Sequence, residues 1–223
     1  YVALRPRGSD FGFRGDVICT SGGAENPVED YGQSVREFTV EHSNARHAAL
    51  ETGETYMVGS LARLKLWGDR LHGVAEESFG VLFPDGVTDN VLLNTRAQLV
   101  ETVYCVESAV QFCESYLAFE EAEIELQEVE ARAGVGIGAI EAPRGTLFHE
   151  YELDDDGKVI AANVVTPTAQ NLANVERDLR HSGDRLLQTA GVSDTDLKRS
   201  FEMIARAYDP CISCSVHVVR PGR

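Results

Sequence analysis

Cys211 and Cys214, two residues apart in "DPCISCSVH", are close enough for both sulfurs to reach one metal ion, and His217 offers a third ligand three residues later. The same pair could serve as a dithiol. A c-type haem attachment needs histidine directly after the second cysteine, and Ser215 stands there instead. A thioredoxin-like dithiol needs its first cysteine at the start of a helix, where the helix N-terminus lowers the thiol pKa; this pair is expected to follow a helix. A structural zinc site needs a fourth ligand, and with no second CxxC in the chain only His149 can be suggested. From residue types and spacing alone, a metal site and an unliganded or redox dithiol stand side by side.

Chemistry near a chain end needs an anchor, because termini fray. Ser193 with Asp196 reads as a capping-box start for the last helix, whose buried face is Leu197, Phe201, Ile204 and Tyr208, and Pro210 ends it. The cysteines are thus held from behind by a packed helix. Pro167 and Thr168 open a second stretch of helical period, "TAQNLANVERDLRHSGDRLLQ". Ahead of it, "TLFHEYELDDDGKVIAANVV" reads as a β-hairpin around an Asp-Gly turn, the centre of a small β region over 137–166.

From Asp89 onward, Leu92, Leu99, Val103, Val106, Val110, Cys113 and Leu117 fall on one face of a long amphipathic helix. Cys105 and Cys113 lie on it eight residues apart, about 12 Å along the axis, too far for one metal; they are expected to be core thiols. The helix is expected to continue through "FEEAEIELQEVEAR" as a solvated acidic face, with Gly134 as its stop. Residues 33–51 read as a broken, extended-to-helical stretch, and His42 and His47, five apart, are poorly spaced on a helix for a shared ligand. The expected fold is mainly α with a small antiparallel β region, residues 1–223 making a single domain or part of one.

The totals narrow the function. Thirty-six Asp and Glu against 20 Lys and Arg give a formal charge of −16, a field that repels nucleic acid and anionic lipid. No apolar run is long enough to span a bilayer and the start lacks a secretory pattern, so no membrane insertion is expected and the location reads as cytoplasmic. Five cysteines in a chain of 223 residues do not suggest a disulfide framework. The chain opens on Tyr1 with turn-rich stretches, which reads as the rear portion of something longer.

Taken in order, "GETYMVGSLARLKLWGD", "EAPRGTLFHEY", "VVTPTAQN" and "YDPCISCSVH" resemble the C-terminal half of the large subunit of nickel-iron hydrogenases, particularly the cytoplasmic group with F420-reducing hydrogenases and sulfhydrogenases. The resemblance covers nearly the whole chain. It implies reversible oxidation of H2 at a buried nickel and iron bridged by thiolates, the iron also carrying carbon monoxide and cyanide. By that resemblance Cys211 is a terminal nickel ligand taking part in catalysis and Cys214 bridges the two metals, an assignment that suits soft thiolates. Arg144 corresponds to the catalytic arginine that reaches over the open side and contacts a cyanide; Thr168 donates to the other cyanide, with an N-cap as its plain alternative; Asp209 positions the cluster from outside. His217 and the carbonyl of Val164 match positions that hold a magnesium or iron ion near the C-terminus, while His149 takes no ligand role.

The family also needs two cysteines from an N-terminal CxxC, which this sequence lacks, and Cys19 has no near partner. The resemblance therefore implies a partner segment or chain supplying them, and an iron-sulfur small subunit to carry electrons away. It also implies a maturation protease acting beyond His217, since "VVRPGR" follows it. The alternatives are a noncatalytic zinc or dithiol module built on Cys211, Cys214 and His217, or a structural relative that has lost catalysis.

Overall fold

The structure, a computed structural model, describes residues 1–118 and 130–215. Its elements run β1 (Val2–Leu4), β2 (Val17–Thr20), β3 (Glu25–Pro27), β4 (Val35–Val40), β5 (Ser43–Leu50), α1 (Ser60–Trp67), α2 (Gly73–Leu82), α3 (Asn94–Leu117), β6 (Gly134–Ala142), β7 (Gly145–Leu153), β8 (Val159–Val165), α4 (Pro167–Leu187), α5 (Asp194–Tyr208) and the single turn α6 (Ile212–Ser215). The strands make three small antiparallel sheets, β1-β2-β3, β4-β5 and β6-β7-β8. Helices outweigh strands, as expected, but the first fifty residues hold more β-structure than the sequence suggested.

Residues 33–51 are not partly helical. Apart from Gln33, which ends a 3-10 turn, they form the β4–β5 hairpin, in one register from Val35↔Leu50 to Phe38↔His47 and, after an irregularity, paired at Val40↔Ser43 beside a turn at Glu41 and His42. Val35, Phe38, Thr39 and Val40 are β-branched or aromatic and favour the pleated backbone over a helix. The hairpin around Asp-Gly is present as β7 and β8, with Gly157 at φ +75° and the Asp154 carboxylate accepting from the N–H groups of Asp156 and Lys158. β6 adds a third strand to it, so the region expected over 137–166 begins at Gly134, which starts a strand and does not stop a helix.

Two cores lie on either side of the extended stretch Tyr56–Val58. Tyr56 and Val58 join Val2, Leu4, Ile18, Tyr31, Phe148 and Val165 beneath the sheets. Met57 points the other way, among Leu61, Leu64, Ala97, Val100, Ile204 and Tyr208 between the helices. Alternation along an extended chain sends neighbouring side chains to opposite faces, so one three-residue segment serves both cores. Full burial of a side chain such as Phe148 contributes about 1.5–3 kcal/mol.

The apolar face foreseen on α3 is present but mostly bare. Ala97 and Val100 are buried, whereas Leu99, Val106, Val110, Phe112, Tyr116 and Leu117 are exposed. Cys105 and Cys113 are accordingly exposed thiols rather than core ones. Periodicity reports that a face is apolar; whether anything covers it is a separate matter, and among the described residues Val103 packs against the helical core while most of the stripe stays open. The predicted acidic continuation spans 119–132: residues 119–129 lie outside the described residues, and 130–132, which are described, are not helical.

α4 and α5 carry the frame of the candidate site. Thr166 caps α4, its hydroxyl accepting from the N–H of Ala169, and Pro167 sits in the first turn, where a missing N–H costs nothing. The Asn171 side chain accepts from the N–H of Val58 at 2.9 Å and donates to its carbonyl at 3.2 Å. Gln170 donates to the Thr146 carbonyl at 2.6 Å. These buried amides tie the start of α4 to the central stretch and to β7 with their own polar groups satisfied. α5 starts on the Ser193–Asp196 capping box, as the sequence predicts.

Candidate metal centre

The site is assembled where α5 ends. Asp209 closes that helix at φ +48° and ψ 56°, the one non-glycine residue with positive φ among those described, and Pro210 then prevents further helix. A left-handed aspartate is mildly strained, and such strain persists where neighbours hold it. Here the neighbour is Arg144: its Nε donates to the Asp209 carbonyl at 2.6 Å, and its Nη2 lies 3.3 Å from the Asp209 carboxylate.

Arg144 stands on the tight turn joining β6 to β7, and that turn is fixed from beneath. Arg63 of α1, 1% exposed, donates to the carbonyls of Ala142 (3.0 Å) and Pro143 (3.2 Å). The same guanidinium pairs with Glu101 of α3 through Nε at 2.5 Å and Nη2 at 2.6 Å, and with Glu141 of β6 at 2.8 Å. Burial pulls the Arg63 pKa down, but the two carboxylates outweigh it and hold the group above its usual value. Glu141 also accepts from the Leu4 N–H and the Thr146 hydroxyl, both at 2.7 Å. Next to Arg144, Gly145 has φ +135° and Gly59 has φ +112°; a Cβ on Gly145 would strike Val58, and one on Gly59 would lie 2.9 Å from the Arg144 carbonyl. The two backbones meet closely because neither residue has a side chain.

Cys211 and Cys214 follow on the turn of α6, their Cα atoms 5.3 Å apart and their sulfurs joined as a disulfide. The Cys211 N–H donates to the Thr168 hydroxyl at 3.3 Å, and the Thr166 hydroxyl donates to the Cys214 carbonyl at 2.7 Å. Thr168 is therefore not the N-cap that was its plain alternative; Thr166 is, and Thr168, 3% exposed, turns to the cysteine segment. Within the turn, the Ser215 hydroxyl donates to the Cys211 carbonyl at 3.2 Å.

The structure thus gathers Arg144, Asp209, Cys211, Cys214 and Thr168 at one place. Val164 pairs with His149 between β8 and β7, and it lines a cavity of about 250 Å³ together with Thr166, Cys214 and Ser215. His149 is partly buried and its Nδ1 lies 3.0 Å from the Tyr151 hydroxyl, as a hydrogen-bonded histidine should be. His217 and the tail after it lie outside the described residues. Among the described residues no further His, Asp or Glu joins the cysteine pair at ligating distance, so His149 does not complete a zinc site. No helix among them is long and apolar enough to cross a membrane.

Sequence reasoning missed Thr166 and the trio Arg63, Glu101 and Glu141. For Arg63 a signal existed: an arginine in the run "SLARLKLW", which packs as core on either side of it.

A profile of the nickel-dependent hydrogenase family matches residues 90–217. The chain is 39% identical over 220 residues to the alpha subunit of sulfhydrogenase 1 from Pyrococcus furiosus, covering 99% of this chain and 50% of that protein. It is 37% identical over 186 residues to the alpha subunit of sulfhydrogenase 2 from the same organism, covering 83% and 44% respectively. Among solved structures, an NAD+-reducing [NiFe]-hydrogenase in the H2-reduced state superposes with a TM-score of 0.78 at 26% identity, covering 97% of this chain and 50% of that one. The chain spans about half the length of these relatives, or less.

Proposed function

The chain belongs to the nickel-dependent hydrogenase family, and from that premise we propose that it forms the C-terminal part of the catalytic large subunit of a nickel-iron hydrogenase that oxidises H2 reversibly. One observation carries the reading: Cys211 and Cys214 share a single turn, with the hydroxyl of Thr168 and the ion pair of Arg144 and Asp209 packed about it. The donor set fits the group. Two thiolates, freed by reduction of the disulfide, are soft ligands of the kind that select nickel and low-spin iron. Bound there, a nickel-iron pair supplies electron-rich metals that polarise H2 and take up its electrons.

Each side chain has a task in this reading. Cys211 would hold the nickel, with a lone pair left on its Sγ that could take a proton, and Cys214 would supply its thiolate to the nickel and iron together. Arg144 would present fixed N–H donors to a cyanide carried by the iron, and Asp209, accepting from the same guanidinium, sets its direction. Thr168 already accepts from the Cys211 N–H, which leaves its own O–H to donate to the other cyanide. Val164, through its carbonyl, and His217 would hold a magnesium or iron ion near the C-terminus.

Two thiolates are half of the set, so the others come from a segment or partner chain outside this sequence, and this chain alone is inactive. Electrons leave through an iron-sulfur small subunit, and a protease trims the residues after His217, all in the cytoplasm. The disulfide favours a second reading, a dithiol module, which family membership disfavours. The deciding experiment is metal analysis and infrared spectroscopy of the protein purified from its host without oxygen. Nickel, iron and carbon monoxide and cyanide bands are expected, with nickel lost in Cys211→Ser and Cys214→Ser. Zinc alone, or no metal, overturns the proposal.

A further inference from the structure

His42, on the turn of the β4–β5 hairpin, and His47, on β5, converge on Glu176 of α4. We propose that these three side chains form a separate metal site, binding one Zn²⁺ or a similar divalent cation and clamping the hairpin onto α4. The site is distinct from the cysteine turn: Thr168 and Glu176 are eight residues apart on α4, about 12 Å along its axis.

The geometry suits a shared cation. One ligand atom from each residue lies within 4.8 Å of the others. Donors about 2.0–2.2 Å from a common zinc are about 3.3–3.6 Å apart at tetrahedral angles, so closure takes about 1 Å of side-chain movement. Two imidazoles and a carboxylate are a borderline-hard set that suits zinc, cobalt or nickel, and three protein ligands leave a fourth position for water. His42 is 63% exposed, which gives an ion its way in.

The competing account is an ordinary ion pair, since His42 Nε2 lies 3.1 Å from one Glu176 oxygen. With its ring neutral, His47 argues against it. Its Nδ1 lies 3.2 Å from the Ala45 carbonyl, which can only accept, so Nδ1 carries the proton. In the neutral ring that leaves the lone pair on Nε2, 3.9 Å from the other Glu176 oxygen. Two acceptors then face each other beside a 4% exposed histidine, and a cation between them turns repulsion into coordination. A backbone carbonyl holding the far ring nitrogen is also the usual support of a metal-bound histidine. Arg180, whose Nη2 lies 3.3 Å from Glu176, is exposed and free to move aside.

The test is titration of the full chain with Co²⁺, whose spectrum separates nitrogen and oxygen ligands from thiolates. We expect visible d–d bands saturating at one ion, without sulfur charge transfer, and displacement by Zn²⁺. His47→Ala and Glu176→Ala should weaken binding by more than about 100-fold, beyond the loss of an outer-shell partner. Because His42 is exposed, His42→Ala repeats the test without risk to the fold and should also weaken binding. His181→Ala, an exposed histidine on the same helix, should leave it unchanged. Absence of binding at millimolar Co²⁺, affinity unaltered in His42→Ala, or a spectrum of thiolate ligation alone each overturns the proposal.

Discussion

Arg63→Met strips the donors from beneath the turn that carries Arg144 while keeping a side chain of similar reach. Arg63, Glu101 and Glu141 have side chains 1%, 8% and 0% exposed, so the two carboxylates cannot turn to water when the guanidinium is gone. Glu141 retains the Leu4 N–H and the Thr146 hydroxyl, whereas Glu101 retains only the Ser60 hydroxyl at 2.5 Å. Breaking a buried pair from one side costs about 3–5 kcal/mol. With a urea slope of about 2 kcal/mol/M, the midpoint should fall by about 1.5–2.5 M, read by far-ultraviolet circular dichroism. The double variant Arg63→Met, Glu101→Gln should recover part of the loss, because the worse-satisfied of the two stranded charges is then gone. A loss below about 1 kcal/mol in the single variant, the worth of a surface ion pair, would refute the assignment of a buried network.

Gly145→Ala places a Cβ against Val58 at φ +135° and should cost at least about 2 kcal/mol in the same urea assay. Thr166→Ala removes the cap of α4 and the donor to the Cys214 carbonyl and should cost about 1 kcal/mol, while Thr166→Ser should cost little. Arg144→Lys keeps the charge and loses the fork; in the hydrogenase proposed above it should lower H2 turnover by about 10²–10³ while nickel is retained. Burial, then the hydrogen bond to Glu150, pushes Tyr31 up to about 12 from 10.0. Below pH 10 it is neutral folded and unfolded; from 10 to 12 the unfolded chain ionises first, so stability falls as pH rises. Urea midpoints just below pH 10 and again near the folded value should show a smaller alkaline loss in Tyr31→Phe.

What was legible in the sequence is what local chemistry decides. The capping box at Ser193 and Asp196, the stop at Pro210 and the Asp-Gly hairpin each depend on residues within a few positions of one another. Thr166 and Thr168 show the limit: both can cap a helix, and the choice rests on where the backbone turns, set by amides of α4 that reach Val58 over 113 residues. The stripe on α3 was legible as a stripe, yet its exposure was not, because period carries no information about a covering partner. His42 and His47 were measured against a helix; once the segment is a hairpin, the turn and the strand bring both to Glu176. Arg63 announced itself as a charge in an apolar run, but its carboxylates lie 38 and 78 residues away.

The cysteine turn follows from the same long-range logic. Residues 211–215 comprise Cys211 and the single helical turn Ile212–Ser215, which has no stability of its own. Fixing five residues costs about 5–10 kcal/mol of backbone entropy. The contacts to Thr166 and Thr168 and the hydroxyl of Ser215 return about 2–5 kcal/mol between them. A cross-link closing so short a loop adds about 2 kcal/mol, which brings the sum close to balance. Without some link between Cys211 and Cys214 the turn is left short of stable. The frame of Arg144, Asp209 and the start of α4 therefore marks where the pair must go, and whatever joins the two sulfurs, each other or a shared metal, decides whether it stays there.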